Sequence, residues 1–218
     1  MANVVPIPRM PAKRSRRPKL VHQFLVVLSG TNPLIWRRIQ VPEKYSFWDL
    51  HVAIQDAMGW LDYHLHEFRL IDAAQRNVVS IGIPSDDDLE DRPVMPGWQV
   101  PLSTFFDQQN WHAPAATYAY DFGDDWQHVL VHEDLESADD DTTYPRCLAG
   151  QGRCPPEDCG GVRGYAEFLQ VIVDPAHEEH ESTLQWAGGS FDPHVFDPAA
   201  VKFDDPKKRW KKAFGRRP

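Results

Sequence analysis

Leu20-Val-His-Gln-Phe-Leu-Val-Val-Leu-Ser29, the turn Gly30-Thr31-Asn32-Pro33, and Ile35-Trp36-Arg37-Arg38-Ile39-Gln40-Val41 before Pro42 form the stretch whose reading decides the fold. The first run is apolar and stops at a glycine-proline turn signal. The second alternates apolar with polar residues and is ended by a proline. Together they read as an antiparallel pair with one wet face. The period then changes: Ser46 stands as an N-cap with Asp49 at the third helical position, and Phe47, Leu50, Ile54, Ala57 and Met58 recur every three or four residues up to Gly59. This stripe is core rather than a cofactor box.

Outward from that start, residues 64–71 and 77–83 read as two more strands joined by a polar turn. Residues 84–101 read as an acidic, proline-rich loop, and Asp86, Asp87 and Asp88 within it lack the alternating spacing of a calcium loop. Residues 117–122 and 126–132 face each other across Gly123-Asp124-Asp125, a connection suited to a tight hairpin. Beyond a cysteine-rich loop, residues 164–173 form an amphipathic helix and 177–186 a more polar one. With strands first, one early helix and no βαβ rhythm, the expectation is an α+β fold. It is a mostly antiparallel sheet in a roll-like single domain over 20–203, with helices packed on it and C-terminal helices after the cysteine loop.

Composition sets the class. The chain has 218 residues, 42% apolar and 25% charged, as a soluble globular domain does. It carries no apolar run of about 18 residues and no apolar core behind its basic N-terminus, so neither a membrane span nor a secretory signal is expected, and a cytoplasmic setting with reduced thiols is. The net charge of −9 hides a segregation. Thirteen of the 23 basic residues lie in 1–19 and 207–218, leaving 10 against all 32 acids. The segments 1–19 and 204–218 are therefore expected as a flexible basic arm and a basic tail that touch nucleic acid without sequence preference or fold over the acidic body.

Three groups of residues carry candidate chemistry. Cys147, Cys154 and Cys159 are the chain's only cysteines, and an odd count cannot be closed by internal disulfides alone. Cys-x6-Cys-x4-Cys with His128 as the fourth ligand, and His132 or His64 in reserve, would make a closed structural zinc site. Free thiols or a redox pair are the alternatives. His64-x-His66-Glu67 would place two imidazoles on one strand face, near the hairpin acids Asp121 and Asp125, as a hydrolytic metal centre requires. Trp36, Arg37, Arg38 and Trp126 form a candidate ligand-binding set, with a strand-face ion pair as the plainer reading of the arginines. There is no glycine-rich phosphate loop, nucleophile elbow or His-Glu-x-x-His helix.

Four segments together carry a resemblance: Ile35-Trp-Arg-Arg-Ile39, His64-Leu-His-Glu-Phe68, Tyr120-Asp-Phe-Gly-Asp-Asp-Trp-Gln-His128 and Cys154-Pro-Pro-Glu-Asp-Cys-Gly-Gly161, with Gly164-Tyr165 and Phe191-Asp192-Pro193 beside them. The chain resembles the Ri-plasmid ORF-three-like family, grouped also with passenger proteins of insertion elements, over about residues 20–203. The resemblance implies an α+β roll-like domain tied to plasmids or mobile elements and no established activity. Because the serines fall in caps and loops, serine-recombinase chemistry is not expected. The leading functional expectation is a non-enzymatic binding or adaptor domain for a protein, peptide or small ligand, with zinc as the candidate cofactor. The rival is a metal-dependent hydrolase, perhaps on nucleic acid, using His64, His66, Asp121, Asp125 and His128.

Overall fold

The computed structural model describes residues 19–71, 78–85, 93–106 and 116–215; residues 1–18 of the basic arm, the turn after the third strand and Asp86 to Asp88 lie outside the described residues. In chain order the elements are β1 (Leu20–Leu28), β2 (Ile35–Pro42), α1 (Phe47–Met58), β3 (His66–Ile71), β4 (Val78–Gly82), β5 (Val94–Pro96), β6 (Ala116–Tyr120), β7 (Trp126–Ser137), β8 (Arg146–Gln151), α2 (Gly161–Val173), α3 (His180–Trp186) and α4 (Pro206–Phe214). The strands form one open sheet in the order β5-β4-β3-β6-β7-β1-β2-β8. Its pairings are antiparallel except for β4 with β5. The fold is therefore α+β with a mostly antiparallel sheet in one domain.

The opening stretch lies inside the sheet toward one end, with only β8 beyond it, and its alternating pattern buries one face. Strand β1 pairs with β2 from Val21↔Pro42 to Leu28↔Ile35 and with β7 on its other edge. Phe24, Val26, Leu28, Ile35 and Ile39 enter one core with Phe47, Leu50 and Ile54 of α1, Phe68 of β3, and Tyr118 and Trp126 of the hairpin. Helix α1 starts as its sequence demands. The Ser46 side chain accepts from Asp49 N, the Asp49 carboxylate accepts from Ser46 N, and Gly59 closes the helix at φ 91° in the left-handed region. Such a cap contributes about 1 kcal/mol, and glycine is the residue that adopts the closing conformation without a Cβ clash.

Three elements depart from expectation. Strand β7 runs on to Ser137, and Cys147 sits on an edge strand, β8, opposite Ile39 rather than in a loop. The basic C-terminal stretch is not a solvated tail: Pro206–Phe214 forms helix α4, capped by the Asp205 side chain accepting from Lys207 N. Trp210 is 4% exposed and packs edge-on against Trp48 at 5.0 Å and beside Trp98 at 4.6 Å. Arg209 forms ion pairs with Asp56, Asp62 and Asp204, so acids of the body hold the helix down. No helix among the described residues is long and apolar enough to cross a membrane.

Candidate metal centre

The site is assembled where the α1–β3 connection, the β6–β7 hairpin and the loop before α2 meet. After Gly59 the chain is pinned at three points. The Trp60 indole donates to Pro155 O at 3.0 Å, Leu61 N donates to the Glu157 carboxylate at 2.7 Å, and Tyr63 N donates to the Tyr120 hydroxyl at 3.1 Å. His64 follows at the rim of the sheet. In the hairpin, Asp121 adopts φ 55° and its Oδ1 accepts from Gly123 N at 2.9 Å and Asp124 N at 3.3 Å, which spends one oxygen on the turn and leaves Oδ2 free of it. The third loop is clamped onto the hairpin by Gly160 N donating to the Asp124 carboxylate at 3.0 Å. Gly161 is obligatory there, since a Cβ would stand 2.3 Å from Asp124 O and its φ is +68°. This clamp presents Asp158.

The result is a convergence of His64 Nε2, an Asp121 oxygen and an Asp158 oxygen, all within 4.8 Å of one another. The imidazole nitrogen lies 3.0 Å from Asp158 Oδ1 and 3.5 Å from Asp121 Oδ2. Neither contact has hydrogen-bond alignment, although the nitrogen itself is shielded from solvent. Ligand atoms at right angles around a divalent cation held at about 2.1 Å stand about 3.0 Å apart, so these separations suit the edge of a coordination shell. One imidazole with two carboxylates is a donor set for magnesium- or manganese-like ions rather than for a thiolate-loving one. The Asp158 side chain is 67% exposed, which leaves the outer side of the set open. Beside it, Glu157 is fixed by Leu61 N and by the Tyr120 hydroxyl donating at 3.2 Å, and burial raises its carboxyl above the ordinary range.

The sequence-predicted residues separate into those the fold brings together and those it uses elsewhere. His64 and Asp121 meet. His66 does not join them, because β3 begins at His66 and the two histidines do not share a strand face. Its ring is 3% exposed, stacked on His51 with centroids 3.5 Å apart, and burial drives its pKa well below the usual imidazole value. Asp125 accepts a hydrogen bond from the side-chain amide of Gln127 at the start of β7. The zinc set is not assembled: among the described residues, His64, Asp121 and Asp158 are the one group of three or more histidine, cysteine, aspartate or glutamate side chains that converges. His128 faces inward, its Nδ1 3.1 Å from Tyr118 O, with burial lowering its pKa to about 4. Burial likewise raises the thiol of Cys154, and that of Cys159 to about 12, so neither is poised as a thiolate.

The ligand-binding set is also corrected. Arg37 is 1% exposed and donates four bonds of 2.8 Å to Ala57 O, Trp36 O, Gln151 O and Gly152 O, beneath the Phe196 ring at 3.6 Å. Four of the five donors of its fork go to backbone carbonyls, so it ties the end of α1 to β8. Arg38 makes the plainer ion pair with Glu133, bidentate at 2.7 and 2.8 Å. Trp126 is fully buried, and Trp36 lies half-buried with its indole 3.5 Å from the Gln151 side chain. Asp158 and Glu157 are not among the sequence-predicted residues: they stand inside the Pro-Pro-Glu-Asp motif between two cysteines, and no local pattern marks them as ligands.

A profile of the family described as plasmid pRiA4b ORF-3-like protein matches residues 20–200, which spans the sheet, α1, α2 and α3 and leaves α4 outside. The chain is 38% identical over 188 residues to the uncharacterized protein y4hQ of Sinorhizobium fredii, covering 86% of this chain and 89% of that one. It is 42% identical, with a TM-score of 0.77, to a crystal structure of a protein of unknown function, MM3350 from Methanosarcina mazei Go1, covering 86% of this chain and 100% of that one. With three motif segments meeting at one rim of a shared fold, the chain belongs to the plasmid pRiA4b ORF-3-like protein family.

Proposed function

We propose that the chain is a divalent-cation-dependent hydrolase whose cation is held by His64, Asp121 and Asp158. The convergence of these three ligand atoms from three separate segments carries the reading. A three-residue set with an open outer side keeps positions for water and substrate, as catalytic sites do and closed structural sites do not. A cation there would lower the pKa of a bound water and polarise an ester, amide or phosphoryl oxygen. Glu157 supplies the proton-transfer group. It neighbours Asp158 in the chain, and its raised pKa brings it toward the range in which a carboxyl gives up and regains a proton. The test is turnover of bis(p-nitrophenyl) phosphate and p-nitrophenyl acetate with manganese against chelator. Cation-dependent turnover that disappears in Asp121→Asn supports the reading; wild-type turnover of neither substrate, or turnover unchanged by chelator, counts against it.

A second reading, a non-enzymatic binding domain, is favoured by one observation. A groove of about 850 Å³ runs between the start of α1 and the segment leading into α4, lined by Tyr45, Trp98, Tyr144 and Phe203. Aromatic-lined grooves of this kind receive extended, proline-containing peptides. Peptide binding blocked by Tyr144→Ala, with no cation-dependent turnover, would favour it.

A further inference from the structure

We infer that the cavity between Trp60, Trp186 and Phe191 is a binding site for a small aromatic carboxylate. The cavity measures about 460 Å³, within the range of small-molecule sites, and its walls come from the end of α1, the Arg153–Glu157 segment and the chain after α3. Its lining includes the aromatic rings of Trp60, Trp186 and Phe191. Trp60 is 4% exposed and fixed by its bond to Pro155 O, whereas Trp186, the last residue of α3, is 54% exposed and leaves its ring available to a planar ligand. An exposed tryptophan on the wall of a cavity is the kind of side chain that dominates ligand and partner contacts.

The charge in this cavity is Arg153. Arg38, Arg69, Arg163 and Arg209 each have a carboxylate partner, and Arg37 and Arg146 are held by backbone carbonyls and by the Gln40 side chain, whereas Arg153 has no carboxylate partner among the described residues, in a chain whose acids outnumber its bases. Its guanidinium lies over the Phe191 ring at 4.5 Å and makes one bond, from Nη1 to Ser190 O at 3.3 Å. Stacking fixes the plane of the fork and leaves its other donors for a bidentate carboxylate, the strongest neutralisation an arginine makes. Glu157 is the acid in the lining, and both its oxygens already receive protein donors. The ligand that fits is an aromatic ring on a short arm ending in a carboxylate, with the ring against Trp186 and the acid on Arg153.

The cavity shares Glu157 with the proposed cation site but none of its three ligands, and its test is run with chelator present so that failure of one reading is distinguishable from failure of the other. The probe is 3-phenylpropionate titrated into the full chain, followed by tryptophan fluorescence and calorimetry, with 3-phenylpropanamide as the uncharged counterpart. Saturable binding at about 1 mM or tighter is expected, weakened about tenfold or more by the amide, by Arg153→Gln and by Trp186→Ala. Both side chains are exposed, so the variants keep the wild-type circular dichroism spectrum. Absence of saturable binding up to about 10 mM, equal affinity for acid and amide, or an unchanged Arg153→Gln overturns the inference.

Discussion

Replacing Arg37 by methionine keeps the aliphatic stem and removes the guanidinium that ties α1 to β8. The structure shows what is lost: four charge-assisted bonds, all to backbone carbonyls, from a side chain 1% exposed. One of those carbonyls, Ala57 O, belongs to the last turn of α1, where no intrahelical donor remains to take it. Each charged bond contributes about 1.5–3 kcal/mol, but removing the guanidinium also relieves its desolvation, so the sum is not the answer. Loss of one member of a buried charged network costs roughly 3–5 kcal/mol, which for a domain of this size lowers Tm by roughly 6–20 °C. Arg37→Lys should recover little, because a single ammonium cannot span carbonyls on two elements. Urea unfolding followed by circular dichroism measures the effect. A loss below about 1 kcal/mol with either variant would refute the structural role and return Arg37 to the ligand-binding candidates.

Two further outcomes follow from groups of the core and the clamp. Burial depresses His22 and His128 to about 4, whereas an unfolded histidine titrates near 6.5, so between those values the unfolded chain holds more protons. Stability should therefore fall as pH is lowered from about 6.5 to about 4, by up to about 1.4 kcal/mol per pH unit for each histidine, and urea midpoints flat across that window would contradict their burial. Gly161→Ala places a Cβ 2.3 Å from Asp124 O at a φ of +68°; it should cost about 2 kcal/mol and weaken cation binding together with stability, and an unperturbed variant would show that the clamp does not position Asp158.

Much of the fold is legible because local chemistry and packing agree. The β1–β2 pair, the Ser46 and Asp49 capping box and the Gly59 stop each appear where the residues ask for them. Edge and terminal elements are harder. Strand β8 is broken in appearance by Pro145 and Gly150 and exists because β2 offers an unpaired edge. Helix α4 reads as a charge run, since Trp210 supplies its one buried contact, although Asp205-Pro206 is a helix-start signal that sequence reasoning passes over. In the site, His64 and Asp121 were identified from residue type and turn position. Pairing His64 with His66 failed because strand register begins at the second histidine, and joining His128 to the thiols failed because its imidazole turns into the core. Asp158 depends on a loop clamp formed by Asp124 and Gly161, a long-range contact with no local pattern.

The central claim is that His64, Asp121 and Asp158 hold a divalent cation, and the most direct measurement is manganese titration of the chelator-treated full chain, read by loss of the free-ion electron paramagnetic resonance signal. Asp121→Asn keeps the Oδ1 acceptor that supports the turn and tolerates its left-handed φ, so it tests the ligand charge without dismantling the hairpin. The account predicts one saturable site in the wild type, weakened about tenfold or more by Asp121→Asn, by Asp158→Asn and by His64→Ala. No saturable binding in the wild type, or wild-type affinity in all three variants, would contradict it.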